Sequence, residues 1–154
     1  MIEKVLIVDD DNYKIKNIKE LIHNVKNSIE ISTEEALNSG LRRIRKNDFD
    51  IIILDMSLPF FNSSESSNFN PFGGISFLKE MRRKKILTPV IIVTQYVIFG
   101  EGEFQKTSTM IDEECRRDFK NYKGIVVYSS VNNGWKEKLV KMMGDIKNDK
   151  SVVC

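Results

Sequence analysis

Short, wholly apolar runs alternate along this chain with longer segments whose apolar residues recur every third or fourth position. Val5-Leu6-Ile7-Val8, Ile51-Ile52-Ile53-Leu54 and Val90-Ile91-Ile92-Val93 have the length and aliphatic content of strands buried on both faces. Ile29 with Ile31 marks a briefer strand, and Ile125 to Tyr128 a fifth. Between them the period changes. Asn12 to Lys26 carries Ile15, Ile18, Ile22 and Val25 on one helical stripe. Leu37, Leu41 and Ile44 repeat the spacing behind Thr33, which predicts an N-cap. Ile75, Leu78 and Met81 predict a third helix, closed off by Pro89. Thr107 to Phe119 predicts a fourth through Ile111, Cys115 and Phe119, and Trp135, Leu139, Met142 and Ile146 mark the last.

Five β-α units in succession predict an α/β fold, a doubly wound parallel sheet with helices on both faces and right-handed crossovers. One domain over 1–147 accounts for all of them, with 148–154 a frayed tail. Two stretches exceed the usual connections. Residues 60–72 form a long loop rich in Ser and Asn yet holding four phenylalanines, and 96–119 extends the fourth loop and helix, with a turn at Gly100-Glu101-Gly102-Glu103.

Charge is nearly balanced, 24 Lys+Arg against 22 Asp+Glu, so there is no electrostatic case for nucleic acid or an anionic membrane as partner. No run reads as a signal peptide or approaches a bilayer span. With only two cysteines, Cys115 and Cys154, no disulfide framework is expected, and the reading is cytoplasmic. A single histidine, His23, leaves a Ser-His-Asp triad or a histidine metal cluster little to build on.

The chemistry lies where the strands stop. Val5–Val8 runs straight into Asp9, Asp10 and Asp11, and Ile51–Leu54 into Asp55. In an open parallel sheet those carboxyl ends share one edge, where ligands bind. Carboxylates crowded there repel unless a hard cation holds them, which points to a Mg²⁺ site with one aspartate free to react. Asp11 is read as a helix cap rather than a ligand.

Taken in order, these residues resemble the receiver domain of bacterial response regulators, the phosphoacceptor module of two-component signalling. Asp9 and Asp10 match the acidic pair after the first strand, and Leu54-Asp55-Met56-Ser57-Leu58-Pro59 matches the segment around the phosphorylated aspartate. Gly73-Gly74 with Leu78, Thr94 after the fourth strand and Tyr128 on the fifth complete the set. The resemblance implies a flavodoxin-like (βα)5 fold with strand order 2-1-3-4-5. It also implies Asp55 as phosphoacceptor, with Mg²⁺ on Asp10, Asp55, the Ser57 carbonyl and, through water, Asp9. Thr94 would donate a hydrogen bond to the phosphoryl group, and Tyr128 would switch.

The chain departs from that pattern at one place. The family lysine after the fifth strand falls on Val131, with no proline following, and Lys136 is the nearby candidate substitute. The expected function is therefore phosphorylation-dependent signalling through protein contacts rather than enzymatic turnover. A histidine kinase or phosphotransfer protein would be the donor, and an unnamed effector protein the output. The alternatives are a receiver-like interaction module independent of phosphate and, ranked last, a Mg²⁺-dependent phosphohydrolase, because Ser57 stands where such enzymes carry a second aspartate.

Overall fold

The computed structural model describes residues 1–62 and 70–152. Seven strands and five helices follow one another as β1 (Lys4–Val8), α1 (Asn12–Val25), β2 (Glu30–Glu34), α2 (Leu37–Lys46), β3 (Ile51–Leu54), α3 (Gly73–Arg83), β4 (Val90–Thr94), β5 (Ile98–Phe99), β6 (Lys106–Thr107), α4 (Ser108–Asp118), β7 (Tyr122–Val127) and α5 (Gly134–Val152). Five strands form one sheet in the order β2-β1-β3-β4-β7, every pairing parallel. With the β5–β6 pair set aside, this is the expected 2-1-3-4-5 order. No helix among the described residues is long and apolar enough to cross a membrane.

The period-2 geometry of strands divides the apolar runs between two cores. Leu6, Val8, Ile52, Leu54, Val90 and Ile92 face α2, α3 and α4 through Leu41, Ile44, Phe77, Leu78, Ile111 and Cys115. Val5, Ile7, Ile51, Ile53, Ile91 and Val93 face α1 and α5 through Ile15, Ile18, Ile22, Trp135, Leu139 and Ile146. An unbroken aliphatic run is what a strand buried on both faces requires. The four residues of β3 are all buried.

Several local expectations need correction. Thr33 lies inside β2 and caps nothing; Ala36 precedes α2, and Ser39 Oγ accepts its N–H at 3.3 Å. The next two N–H groups of α2, those of Leu37 and Asn38, donate to the carbonyls of Pro59 and Phe60 at 2.9 and 3.1 Å. Loop backbone thus satisfies donors that a capping side chain would otherwise take. Helix α3 ends at Arg83, well before Pro89, in a turn with Lys85 at φ 59°. On α5, which spans Gly134–Val152, Met143 rather than Met142 is buried. Val25 ends the stripe of α1 exposed. Of the four phenylalanines in 60–72, Phe60 and Phe61 are exposed, Phe72 packs against the core, and Phe69 lies outside the described residues.

The extended fourth connection holds a second, antiparallel sheet, with Ile98 opposite Thr107 and Phe99 opposite Lys106. Phe99 anchors it in the core, Lys106 pairs with Glu114 at 2.8 Å, and Gly100 and Gly102 take φ of 79° and 59° in the turn. Two-residue strands give almost no periodic signal, so the sequence predicts only the turn at Gly100-Glu101-Gly102-Glu103 that joins them.

Gly73 and Gly74 bring α3 directly against the segment that follows β3. A Cβ on Gly74 would stand 2.9 Å from the Asp55 carbonyl oxygen, and one on Gly73 2.6 Å from that of Leu58. The Gly74 N–H also donates to the Met56 carbonyl at 2.7 Å. Gly74→Ala is expected to destabilise the protein by about 1–3 kcal/mol, the range for overpacking a tight contact. Denaturant unfolding measures the loss, and faster hydrogen exchange at Met56 would localise it to the Asp55 loop.

Candidate functional site

Register builds the site. Val8 pairs with Leu54, and the ladder runs one residue further: the Asp9 N–H donates to the Glu34 carbonyl and the Asp55 N–H to that of Val8, both at 3.0 Å. Asp9 and Asp55 therefore leave adjacent strands at the same level of the sheet edge. Asp10 follows on the exposed side, and carboxylate oxygens of Asp9, Asp10 and Asp55 lie within 4.8 Å of one another. Asp11 caps α1, accepting the N–H groups of Tyr13 and Lys14 at 3.1 and 3.2 Å, and takes no place in the cluster.

The cation in this pocket comes from α1. Lys14, 1% exposed, sets its ammonium 2.7 Å from Asp9 Oδ2 and 3.1 Å from Asp55 Oδ1. The sequence reading missed it, although one signal was there. Lys14, Ile18 and Ile22 form an i, i+4, i+8 stripe, so the charged residue opens an otherwise buried face at the end nearest the carboxylates. Lys136, the expected substitute, lies instead with its ammonium 5.8 Å from the Trp135 ring centroid. Val131 is 91% exposed, and its loop sends no cation into the pocket.

The two oxygens of Asp55 are not equivalent. Oδ1 accepts from the Lys14 ammonium and from the Met56 N–H at 2.9 Å. Oδ2 has no donor among the described residues. Asp9 is engaged on both oxygens, Oδ2 by Lys14 and Oδ1 by the Asp11 N–H at 2.9 Å. Thr94, fully buried at the end of β4, receives the Tyr96 N–H on Oγ1 at 3.3 Å, and its carbonyl receives the Tyr128 N–H at 2.7 Å. Ser57 lies two residues past Asp55, on the wall of an open cleft of about 440 Å³ shared with Pro71, Tyr96, Ile98, Phe99 and Gly100.

Tyr128 is 5% exposed, already turned into the core. Its ring packs on Trp135 at 4.9 Å, and its hydroxyl accepts from the Asn17 side-chain amide at 2.7 Å. Asn17 follows Lys14 by one helical turn, so α1 touches both the acidic pocket and this tyrosine.

Burial raises the Asp55 carboxyl to about 7, against the pull of Lys14 and with the added repulsion of Asp9. Burial likewise raises Asp9, opposed by Lys14, and raises Asp10, helped by the charge of Asp9. For Lys14 burial acts downward, but Asp55 and Asp9 outweigh it and hold the ammonium above the ordinary lysine value. Acids and base both move up, the acids because burial outweighs the one ammonium and the base because Asp55 and Asp9 outweigh burial. The pocket keeps an excess of negative charge that suits a divalent cation.

A family model for the response regulator receiver domain matches residues 5–99, well over half of the chain. The chain belongs to the response regulator receiver family. The Detocs response regulatory protein DtcB of Enterobacter cloacae is 29% identical over 149 residues, covering 93% of this chain and 99% of that protein. The protein y4jR of Sinorhizobium fredii is 33% identical over 138 residues, covering 86% and 91%. Among solved structures, a response regulator receiver domain protein from Clostridium thermocellum superposes with a TM-score of 0.67 at 21% identity, covering 99% of this chain and all of that one. At that identity the superposition speaks for the fold, and the family model for two-component signalling.

A carboxyl raised to about 7 in the folded chain and near 3.9 in the unfolded chain binds its extra proton in the native state between those values. Stability therefore falls as pH rises through that window. Asp55→Asn removes this dependence. Without divalent ions the variant should melt several degrees above the natural protein at pH 7 to 8, with the gap closing as pH falls towards 4. Calorimetric melts across that range check it.

Proposed function

We propose that this receiver accepts a phosphoryl group on Asp55 and signals through protein contacts. The observation that carries the reading is the asymmetry of Asp55. Oδ1 is fixed by Lys14 and the Met56 N–H, while Oδ2 is left as the nucleophile at a pocket lined with further carboxylates. Attack by Oδ2 on the phosphorus of a phosphohistidine or small phosphoryl donor forms the Asp55 O–P bond. The bond from phosphorus to the donor breaks, and its electron pair leaves with the donor. Asp55 reacts as the carboxylate, the form a bound divalent ion would favour by displacing the proton, so the protein supplies position and charge.

The donor set fits Mg²⁺, a hard ion that keeps several waters and takes one or two carboxylates. Asp10 and Asp55 would hold it directly, with the Ser57 carbonyl and, through water, Asp9. When bound it would neutralise charge on the transferring phosphoryl oxygens. Thr94 is placed on the neighbouring strand with its hydroxyl proton available, since its recorded bond is one that Oγ1 accepts. A histidine kinase or histidine phosphotransfer protein is the donor this chemistry calls for, and the effector is a protein that reads the changed surface.

The inward position of Tyr128 favours a second reading, a module that holds one conformation whether or not Asp55 is modified. In that case the ring, clamped by Asn17 and Trp135, has no alternative place to go.

Incubation with Mg²⁺ and acetyl phosphate, followed by intact-mass measurement, is expected to show one added phosphoryl group, absent in Asp55→Ala. No adduct on the natural chain would overturn the first reading. An adduct that leaves the amide and ring resonances of Tyr128 unmoved would select the second. Mg²⁺ alone should raise the melting temperature, and Asp10→Asn should weaken the rise, because a ligand that binds only the native state stabilises it.

A further inference from the structure

The receiver family places a lysine after its last sheet strand to hold the phosphoryl group, and this chain carries Val131 there, exposed to solvent. We propose that Lys14, reaching in from the first turn of α1, is the phosphoryl-binding cation of this receiver. The proposal rests on the reading of Asp55 as phosphoacceptor.

Geometry and charge carry it together. The Lys14 ammonium already touches the reacting carboxyl, at 3.1 Å from Asp55 Oδ1, and spans to Asp9 Oδ2 at 2.7 Å. When Oδ2 forms its bond to phosphorus, the Asp55 carboxylate becomes a neutral acyl group. The negative charge that Lys14 had paired with moves onto the phosphoryl oxygens. Those oxygens sit one bond beyond Oδ2 on the same carboxyl, within reach of a flexible four-carbon stem that need give up only its Oδ1 contact. Asp9 keeps the other side of the ammonium in place. Without Lys14, the phosphorylated pocket would set a phosphoryl dianion beside Asp9 and Asp10 with no protein cation recorded among the described residues. No other ammonium or guanidinium is paired with these carboxylates in the described structure.

A phosphoryl-binding cation and a purely structural one part on the sign of the Mg²⁺ effect. Lys14→Met keeps the apolar stem and removes the charge. It should slow phosphorylation of Asp55 by acetyl phosphate about tenfold or more, the worth of a charge-assisted hydrogen bond. It should also tighten Mg²⁺ binding, followed through the melting temperature, because a competing positive charge has left the carboxylates. A structural lysine would weaken both when removed. Adduct formation in Lys14→Met at the natural rate, or faster, overturns the inference while leaving Asp55 as phosphoacceptor. Absence of an adduct in the natural chain overturns both.

If Lys14→Met does not fold, the natural protein still decides. With Mg²⁺ and beryllofluoride bound at Asp55, the exchange-protected Lys14 ammonium should show a through-space contact to fluorine by NMR. An ammonium that stays on Asp9 with no such contact overturns the assignment.

Discussion

Carboxylates repel, and the parallel register of β1 and β3 forces two of them side by side in a buried setting with a third adjacent. Nothing about the strands relieves that repulsion. The ammonium of Lys14 does so in part, bridging Asp9 and Asp55 where neither side chain has much water to turn to. One positive charge against three negative ones leaves the pocket short of balance. That shortfall suits a hard divalent ion better than a closed salt bridge would. The sheet order, the two faces of packed helices and the glycine pair of α3 all serve to hold this arrangement at one edge.

Helix α1 is consequently more than a covering layer. Its apolar stripe of Ile15, Ile18 and Ile22 docks on the sheet, and that docking aims Lys14 at the carboxylates and Asn17 at the Tyr128 hydroxyl. Any movement of the ammonium would be felt by an element that also holds the tyrosine. In this chain α1 holds the Tyr128 hydroxyl through Asn17, while the Thr94 carbonyl holds the Tyr128 amide.

The sheet and its acidic edge were legible because their signals are local. A buried strand needs an aliphatic run, and each acid follows its run directly, so placing the strands placed Asp9, Asp10, Asp55 and Thr94. Lys14 was not legible in the same way. Of its two partners Asp55 lies 41 residues away, and a lysine near the start of a helix is ordinarily solvated. Only the register of its stripe with Ile18 and Ile22 carried the information. Thr33 misled for the opposite reason. It is a good capping residue by type, but β2 continues through it, and the carbonyls of Pro59 and Phe60 satisfy the α2 donors instead. The β5–β6 pair escaped because two residues per strand cannot show a period.

Those same loop carbonyls join the two halves of the site. The segment after Asp55 passes its backbone to the N-terminus of α2 at Pro59 and Phe60, and returns under α3 where Gly73 and Gly74 admit no side chain. The described backbone after Asp55 is thus tied to α2 at Pro59 and Phe60 and packed closely by α3 at Gly73 and Gly74. Across the cleft stand the exposed side chains of Tyr96 and Ile98, with Phe99 fixing their hairpin in the core. Ser57 and Pro71 line the same cleft, so the segment after Asp55 and the fourth connection form its two walls.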